Sequence, residues 1–594
     1  MRKPTLFTRG GTDPGGGLEQ AYGERSEASG VGRRPLLAGA AALATGGLVT
    51  GLTAARRNSS DRFEPSVATG EEGAVSTPDP IASEVGAQVL EQGGNAIDAA
   101  VAAQLSLCAT MPDATGLGGG GFMLVHDTAA GKSHAIDGQV RAPSAAGPDR
   151  FEDAGSDITE SGLSVGVPGT PRTLEVALDR FGSASVPELI APAISLSKGI
   201  RDVTSDLERT IEANADRLSP EAESTFSGLS EGDPLLQEDL AETLRILSDD
   251  GLGAFYTGAI ASDIAETVQG AGGDLTTEDL AAYEATVDEP IVGRVNDCPC
   301  LVPRPPSSGI TAVQSLKILA SLASDHSGDS AERYHALLEA TRLAYADNWT
   351  YLGDSAHDDI PVEGLLDELY LSRRRDVIAP GVVSERVEAG DPWTFQDGRE
   401  EPNEERGLPS ESGTTHVSVA DSEGTVVSYS STLSQPFGSG IVVPGRGISL
   451  ANSLTNFDFT PGGPNSVAAN KRPMSTMSPM IVLDDGAPIL ALGGSGGAVV
   501  PSVVAQVVHR VLEDGAGTAA AVAEPRVFAG ASSTVWWESG LTEATRGELD
   551  GFGYETEAES TELGEVQALS IDGEYTAIAD GRGTGDALAV PRDE

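Results

Sequence analysis

The sequence predicts a mixed α/β protein that folds as a single unit from about residue 73 onward. Two apolar stretches with helical periodicity lie between residues 81 and 108, separated by a Gly-Gly stop. The glycine-rich run 116–121 then leads into an apolar strand. Most of 160–380 has helical periodicity, and short strands return after residue 413. Helical and strand-like stretches therefore alternate along the chain, as expected for a mixed fold.

The composition indicates a folded and strongly acidic protein. Its 90 acidic and 38 basic residues give a formal net charge of −52, so the surface would repel nucleic acids and anionic membranes. A hydrophobic content of 39% and many periodic segments argue against a disordered acidic chain. We interpret the charge as an adaptation to high salt, because the screening length falls to about 3 Å at molar ionic strength.

The amino-terminal segment resembles a twin-arginine-type export signal. Arg33 and Arg34 precede a weakly apolar run that ends at Arg56 and Arg57. We therefore assign 1–57 to an export signal with a polar leader and 58–72 to a linker. An uncleaved membrane anchor and an ordinary buried helix remain alternatives, because the run is just long enough to span a bilayer. The expected location is extracellular or on the cell surface.

The sequence favours neither a metal site nor a cofactor. The three cysteines, Cys108, Cys298 and Cys300, cannot build a disulfide framework, and the seven histidines are scattered. The glycine-rich run precedes a strand instead of opening a helix, and no Lys-Ser or Lys-Thr pair follows it. It is therefore not expected to bind phosphate.

The segment that precedes Thr414 has the character of a connector. Residues 386–413 carry charges, prolines and glycines without periodicity, which predicts a mobile acidic connector. An alternating strand begins abruptly at Thr414. If the bond between Gly413 and Thr414 were cut, Thr414 would carry a free α-amino group beside its hydroxyl. An amine of pKa about 7.7 to 8.0 can act as the local base for a hydroxyl that is otherwise a poor nucleophile.

Motifs that follow one another from about residue 73 to about residue 590 resemble the γ-glutamyltransferase (glutathione hydrolase) family. They are LEQGGNAIDAAVA, TGLGGGGFMLV, VGVPGTP, GGDLTTEDLAAYEA, RPPSSGIT, EATRLAYADN, SGTTHVSVAD, GTVVSYSSTLSQPFGSGI, NKRPMSTMSPMIV and GGSGG. The resemblance implies an N-terminal-nucleophile hydrolase that cleaves its own precursor. It implies a four-layer αββα sandwich formed jointly by a large subunit, 73–413, and a small subunit, 414–594. It also implies a γ-glutamyl or related small-molecule amide as donor, water or an amine as acceptor, and a heterodimer made from one chain.

The resemblance also assigns roles to individual residues. Thr414 matches the nucleophile and general base, and Thr432 matches a threonine whose hydroxyl supports it. Gly496 and Gly497 match the backbone of the oxyanion hole, a role that suits glycine because its N–H groups can approach a tetrahedral oxyanion closely. Ser475 and Thr476 match a hydroxyl pair that binds the substrate α-carboxylate, although they could equally be capping residues at a strand edge.

The chain departs from the family pattern at the expected substrate-binding residues. Gln139 stands where the family has the arginine that pairs with the α-carboxylate. Arg141 lies two residues further on the same strand face and could replace that arginine, or it could be a surface charge. Ser434, Ser453 and Asn456 stand where asparagine, glutamine and aspartate are usual in the family.

These departures lead us to expect that the catalytic machinery is kept while recognition of free γ-glutamyl amino acids is weakened. Residues 457–470 are also short compared with family members that carry a lid there, so an open site would admit bulky or polymeric substrates. Three interpretations follow. The first is a γ-glutamyltransferase-type hydrolase, the second an acylase for non-glutamyl amides such as glutaryl amides, and the third an unprocessed, inactive envelope scaffold.

Overall fold

The computed structural model describes residues 63–152, 158–320, 322, 330–384, 387–396, 413–556 and 562–592. The expected export signal at 1–57 lies outside the described residues, as does most of the expected connector. Within the described ranges, no helix combines the length and the apolar character that crossing a membrane requires.

Two seven-stranded sheets stack face to face at the centre of the described structure. The first sheet has the order β21-β2-β10-β11-β3-β4-β7, and the second has the order β1-β20-β19-β15-β14-β9-β8. Shorter strands pair as β5-β6, β12-β13 and β16-β17-β18. The strands are β1 Ser66–Gly70, β2 Gly73–Thr77, β3 Gly120–Asp127, β4 Lys132–Gly138, β5 Lys198–Asp202, β6 Pro234–Leu236, β7 Thr286–Asp288, β8 Ile291–Val295, β9 Cys298–Val302, β10 Gly413–Asp421, β11 Val426–Ser434, β12 Val442–Val443, β13 Ile448–Ser449, β14 Met480–Asp484, β15 Ala487–Ser495, β16 Val527–Phe528, β17 Thr534–Trp537, β18 Glu555–Thr556, β19 Glu565–Ile571, β20 Tyr575–Ala579 and β21 Asp586–Val590.

Helices cover the outer face of each sheet and complete four layers. Against the first sheet pack helices that include Pro80–Glu91, Ala96–Thr110, Thr170–Phe181, Val186–Leu196, Glu238–Asp250 and Gly258–Gly270. Against the second sheet pack helices that include Gly309–Ala320, Ala331–Tyr351, Val362–Leu366, Glu368–Arg375, Val500–Leu512, Thr518–Ala523 and Glu543–Phe552. The remaining α-helices of the described residues are Pro148–Glu152, Ser205–Asn214, Pro220–Phe226 and Thr277–Ala281. The predicted αββα sandwich is confirmed.

The two sides of the Gly413–Thr414 bond contribute to both sheets. In the first sheet, β10, β11 and β21 follow the bond along the chain, and β2, β3, β4 and β7 precede it. The second sheet is mixed in the same way, with β1, β8 and β9 before the bond and β14, β15, β19 and β20 after it. Neither the large nor the small segment could therefore form a complete sheet alone.

Strand β10 lies near the middle of the first sheet because both of its faces are suited to burial. Val417 and Val419 point into the core under the helices, whereas Ala420 belongs to the core between the two sheets. Every residue of β10 and of its neighbour β11 is buried. The predicted turn at Glu423 and Gly424 joins these two strands.

Two segments are more ordered than the sequence suggested. Ser66–Gly70 lies in the expected linker 58–72 but forms β1, because its backbone pairs with β20 at the edge of the second sheet. In the expected connector, Pro392–Phe395 is a short 3₁₀ helix. Trp393 and Phe395 pack against the core of the second helical layer, and Val387 is buried there. The burial of these apolar side chains explains why the segment is ordered. The charges and helix-breaking residues of the sequence do not reveal it.

Candidate active site

The Gly413–Thr414 bond lies opposite a β-bulge. Thr414 pairs with Thr432 and Gly413 pairs with Ser434, so Leu433 is the extra residue across from the bond. The backbone N–H of Leu433 donates instead to the carbonyl oxygen of Ala114 at 3.1 Å. Ser434 has a φ of 79°, an uncommon backbone conformation for a residue other than glycine. The strand pair is therefore locally distorted at the bond that the sequence predicts to be cut.

The hydroxyl of Thr432 connects the groups on both sides of this bond. Its oxygen lies 3.0 Å from the Thr414 hydroxyl oxygen, and it donates a hydrogen bond to the Gly413 carbonyl oxygen. The Ser434 backbone N–H donates to the Thr432 oxygen at 2.8 Å. Thr414 is 5% exposed and Thr432 is fully buried, so bulk water does not compete strongly for these hydrogen bonds. The two predicted threonines are thus in direct contact.

The glycine-rich run holds the neighbouring strand close to Thr432. Gly120 pairs with Thr432 across β3 and β11. A Cβ atom on Gly119 would lie 2.4 Å from the Thr432 carbonyl oxygen, and one on Gly118 would lie 2.1 Å from the Ser449 carbonyl oxygen. Side chains at these positions would displace the backbone next to Thr432. The run therefore has a packing role.

His416 lies two residues after Thr414 on the same strand face and stays neutral. Burial lowers the pKa of its imidazole to about 3. Its ring nitrogens contact the hydroxyls of Ser430 and Ser418 at 2.8 and 3.1 Å. A Cβ atom on Gly493 would lie 2.4 Å from the ring. His416 is therefore a buried structural group between the sheets, with its hydrogen bonds directed to serines.

The strand register brings Gly496 and Gly497 to the Thr414 end of the molecule. The Ser428 hydroxyl donates to the carbonyl oxygen of Leu492 in β15 at 3.0 Å. The next residue of β15, Gly493, packs against the ring of His416 in β10. Strand β10 therefore approaches the carboxyl end of β15 as it leads back to Thr414. Gly496 and Gly497 follow that end with φ values of 126° and 71°, a region that favours glycine. Their role as oxyanion donors stays a prediction.

Gln139 lies next to the strand partner of Thr432, and its side-chain amide bonds to the backbone. A Cβ atom on Gly120, the strand partner of Thr432, would lie 2.6 Å from the Val140 nitrogen, which places Gln139 beside the site. The Gln139 side-chain oxygen accepts from the Val140 N–H at 2.9 Å, and its Nε2 donates to the Pro473 carbonyl oxygen at 3.5 Å. It is fully buried.

Arg141 extends toward a helix end. Its guanidinium donates to the carbonyl oxygens of Ala282 and Asp279 at 3.1 and 3.4 Å, at the carboxyl end of the helix Thr277–Ala281. It lies 5.2 Å from the centroid of the Tyr283 ring. Arg141 therefore acts as a cation at the carboxyl end of this helix, and these contacts point its guanidinium to the helix end and not to the position of Gln139.

The other predicted substrate-binding residues are all buried. Ser475 lies on a strand-like segment, where its backbone N–H donates to the Pro306 carbonyl oxygen at 2.9 Å, and the Thr476 carbonyl oxygen accepts from the Ser478 hydroxyl at 3.0 Å. Ser453 and Asn456 form the ends of a short 3₁₀ helix. Among the residues that the structure describes, the fully buried hydroxyls of Ser434 and Ser453 have no hydrogen-bond partner. They are therefore available to a bound group.

A family model described as gamma-glutamyltranspeptidase matches residues 82–590 of this chain. The chain belongs to the γ-glutamyltranspeptidase family. The glutathione hydrolase proenzyme of Bacillus subtilis strain 168 is 40% identical over 546 residues, which cover 88% of this chain and 92% of that protein. The acylase ACY 1 proenzyme of Pseudomonas sp. strain SE83 is 31% identical over 550 residues, which cover 89% and 95% of the two chains.

Solved structures agree with this membership in the γ-glutamyltranspeptidase family. The crystal structure of cephalosporin acylase from Bacillus halodurans is similar with a TM-score of 0.80 and 26% identity, covering 91% of this chain and 98% of that one. The family resemblance identified from the motifs is therefore confirmed. Of the two relatives described above, one is named a glutathione hydrolase proenzyme and the other an acylase proenzyme.

Two acidic residues whose backbone lies next to Gly413 or Gly496 stand in no motif, and the sequence does not predict their position. The Asp113 carbonyl oxygen accepts from the Phe437 N–H at 2.9 Å and would lie 3.1 Å from a Cβ atom on Gly413. Burial, together with the charge of Asp206, raises the pKa of Asp113 to about 6. Glu565 pairs with Ser495 next to Gly496, and burial with the charges of Asp580 and Asp206 raises its pKa to about 8. Only the fold brings these residues next to Gly413 and Gly496.

Proposed function

We propose that the protein is a self-processing amidohydrolase that transfers γ-glutamyl groups from glutathione or related amides to water through an acyl-enzyme on Thr414. The contact between the Thr414 and Thr432 hydroxyls beside the Gly413 carbonyl oxygen carries this proposal. Membership in the γ-glutamyltranspeptidase family supports it.

The reaction follows from the groups around Thr414. Cleavage after Gly413 frees the Thr414 α-amino group, which accepts the hydroxyl proton as Thr414 Oγ1 attacks the substrate amide carbon. The backbone N–H groups of Gly496 and Gly497 stabilise the tetrahedral oxyanion, and the protonated amine returns its proton to the leaving amine. Water then hydrolyses the ester, whereas an amine acceptor would give transpeptidation.

The substrate-binding region favours a second candidate, an acylase for amides whose acyl group lacks the α-amino and α-carboxylate charges. Gln139 bonds to the backbone, and Arg141 is engaged at a helix end. Ser434 and Ser453 offer neutral hydroxyls. A zwitterionic γ-glutamyl group would lose its charged partners there, at a cost of several kcal/mol. Glutaryl amides, or polymeric amides if the short 457–470 segment leaves the site open, fit this candidate.

A substrate panel separates the two candidates. The processed protein would be assayed in molar salt with γ-glutamyl-p-nitroanilide, glutaryl-p-nitroanilide and a poly-γ-glutamyl amide. The first candidate predicts the highest kcat/KM for γ-glutamyl-p-nitroanilide, and the acylase predicts it for the glutaryl compound. If none of the three were hydrolysed by the processed protein, both candidates would be wrong.

The cellular setting belongs to the same proposal. The twin-arginine-like pattern around Arg33 and Arg34 supports export, and the net charge of −52 supports function in high salt. The two fragments would stay together as a heterodimer, because both sheets contain strands from each. Loss of the folded heterodimer on dialysis to low salt would support the salt adaptation, and unchanged stability would contradict it.

A further inference from the structure

The Thr432 hydroxyl has one proton, and the structure fixes where it goes. The Gly413 carbonyl oxygen can only accept a hydrogen bond, so Thr432 must be the donor in that contact. The Ser434 N–H already donates to the Thr432 oxygen. The remaining contact, between the hydroxyls of Thr414 and Thr432 at 3.0 Å, must then run from Thr414 to Thr432. In the uncut chain the hydrogen bonds therefore lead from Thr414 through Thr432 to the Gly413 carbonyl.

We infer that Thr432 relays the proton of Thr414 to the Gly413 carbonyl oxygen during self-cleavage, so that this step needs no ionisable base. Thr414 Oγ1 forms a bond to the Gly413 carbonyl carbon and gives its proton to Thr432 Oγ1. Thr432 gives its own proton to the carbonyl oxygen, whose π bond opens. A neutral five-membered cyclic intermediate results, and charge does not build up on the oxygen.

The second half of the step completes the proton balance. The carbon–nitrogen bond breaks, the Thr414 nitrogen takes the proton of the new hydroxyl, and the carbonyl re-forms as an ester between Gly413 and Thr414 Oγ1. Water hydrolyses this ester, which leaves a Gly413 carboxylate and a free Thr414 amine. This inference rests on the proposed self-processing and adds the path of the proton to it.

Ser434 keeps the relay in the required direction. Its φ of 79° lets its backbone N–H point back to the Thr432 oxygen. That donor occupies one lone pair, so the Thr432 proton is directed to Gly413. After cleavage the Gly413 carbonyl is no longer held at this position by the chain, and the Thr432 hydroxyl is released to donate to Thr414. The hydrogen bond between the two threonines then reverses, and Thr432 changes from a proton relay to a support of the nucleophile.

The relay assigns different partners to the reacting carbonyl oxygen in the two reactions of Thr414. Self-cleavage uses the Thr432 hydroxyl, whereas turnover of substrate uses the backbone at Gly496 and Gly497. Removing a single oxyanion donor in an acyl-transfer site slows the reaction about 100- to 1,000-fold. The same loss is expected for self-cleavage when the Thr432 hydroxyl is removed.

The test follows self-cleavage of the full chain on denaturing gels with three variants. Thr432→Val keeps the shape but removes the hydroxyl and should slow cleavage at least about 100-fold. Thr432→Ser keeps the hydroxyl and should cleave within about 10-fold of the parent. Thr415→Val is the matched control, because it removes a neighbouring threonine hydroxyl that donates only to the Ser431 carbonyl oxygen at 3.3 Å, and it should cleave like the parent.

Each outcome decides between the alternatives. If Thr432→Val, with the circular dichroism and melting temperature of the parent, cleaves at the parental rate, the relay is wrong and self-processing stands. If the parent and Thr415→Val also stay intact, self-processing itself is wrong. Should Thr432→Val fail to fold, cleavage of the Thr432→Ser precursor in mixtures of H₂O and D₂O replaces it. A curved dependence of rate on deuterium fraction supports two protons in motion, and a straight line contradicts the relay.

Discussion

The nucleophile end of β10 and the substrate-binding region around Gln139 lie side by side but differ in how they use their polar groups. At that end of β10, the Thr432 hydroxyl contacts the Thr414 hydroxyl and the Gly413 carbonyl oxygen, and it accepts a hydrogen bond from the Ser434 backbone N–H. In the substrate-binding region, Gln139 bonds to nearby backbone, and the hydroxyls of Ser434 and Ser453 have no partner among the described residues. The contrast indicates that the fold holds the groups expected to carry out acyl transfer in fixed contacts, whereas the residues expected to bind the acyl group are less constrained.

The largest expected effect comes from the nucleophile. Thr414→Ala should abolish both self-cleavage and amide hydrolysis, because the attacking hydroxyl is lost while the packing of the buried strand is nearly kept. Denaturing gels and a p-nitroanilide assay measure the two reactions. Thr414→Ser should retain both at a reduced rate. Hydrolysis by intact Thr414→Ala would show that the nucleophile lies elsewhere.

A change at the oxyanion backbone should separate turnover from self-cleavage. A Cβ atom on Gly496 would lie 2.7 Å from the Gly564 Cα atom, and its φ of 126° disfavours other residues, so Gly496→Ala must shift the backbone. We expect substrate turnover to fall about 100-fold with self-cleavage retained. Gly486→Ala is the control, because this turn glycine also has positive φ but has open space at its Cβ position. Equal turnover by the two variants would exclude an oxyanion role for Gly496.

Adding one carboxylate at Asn456 should test the substrate-binding region. Asn456→Asp restores a carboxylate where the γ-glutamyltranspeptidase family has one and should raise kcat/KM for γ-glutamyl-p-nitroanilide about 10-fold or more, which corresponds to about 1.4 kcal/mol. The value for glutaryl-p-nitroanilide should not rise. Asn470→Asp adds the same charge at an exposed position and serves as control. No preference for the γ-glutamyl compound in Asn456→Asp would remove Asn456 from the binding site.

The weakest effect is expected on thermal stability and concerns Glu565, which pairs with Ser495. Burial raises the pKa of Glu565 to about 8 from its ordinary value of 4.5. Between these pH values the folded carboxyl keeps a proton that the unfolded chain has released, so the stabilisation present below pH 4.5 is lost as the pH rises through 8. Glu565→Gln should leave the melting temperature unchanged near pH 4.5 and raise it by roughly 1–3 °C above pH 8.

The control for this last change is a glutamate in water. Glu574→Gln alters an exposed side chain in the turn between β19 and β20 and should show no pH-dependent shift. If Glu565→Gln were equally stable relative to the parent at both pH values, the carboxyl of Glu565 would titrate normally and would not be a buried acid beside Ser495.

The sequence predicts the parts of the site that depend on local order. Thr414 at the head of an alternating strand, the turn at Gly424 and the glycines of β3 all have short-range signatures, and the structure contains these elements. The contact of Thr414 with Thr432 also follows, because a hairpin with a known turn fixes its own register. The one feature that this register does not reveal is the bulge at Leu433, which depends on Ala114 from a distant part of the chain.

The remaining features depend on tertiary packing. Asp113 and Glu565 approach the site through separate elements, and neither stands in a motif. The hydrogen bond from Arg141 to Ala282 requires a helix end that lies 141 residues away in the sequence, which strand spacing cannot show. The sequence predicts a linker where β1 forms, because five residues carry little periodicity. Its partner strand, β20, lies near the other end of the chain.

The most direct test of the account is mass spectrometry of the purified protein in molar salt. The account predicts two fragments, with Gly413 as the carboxyl terminus of one and Thr414, bearing a free α-amino group, as the amino terminus of the other. A chain that remains continuous across Gly413 and Thr414 in a folded preparation would contradict it.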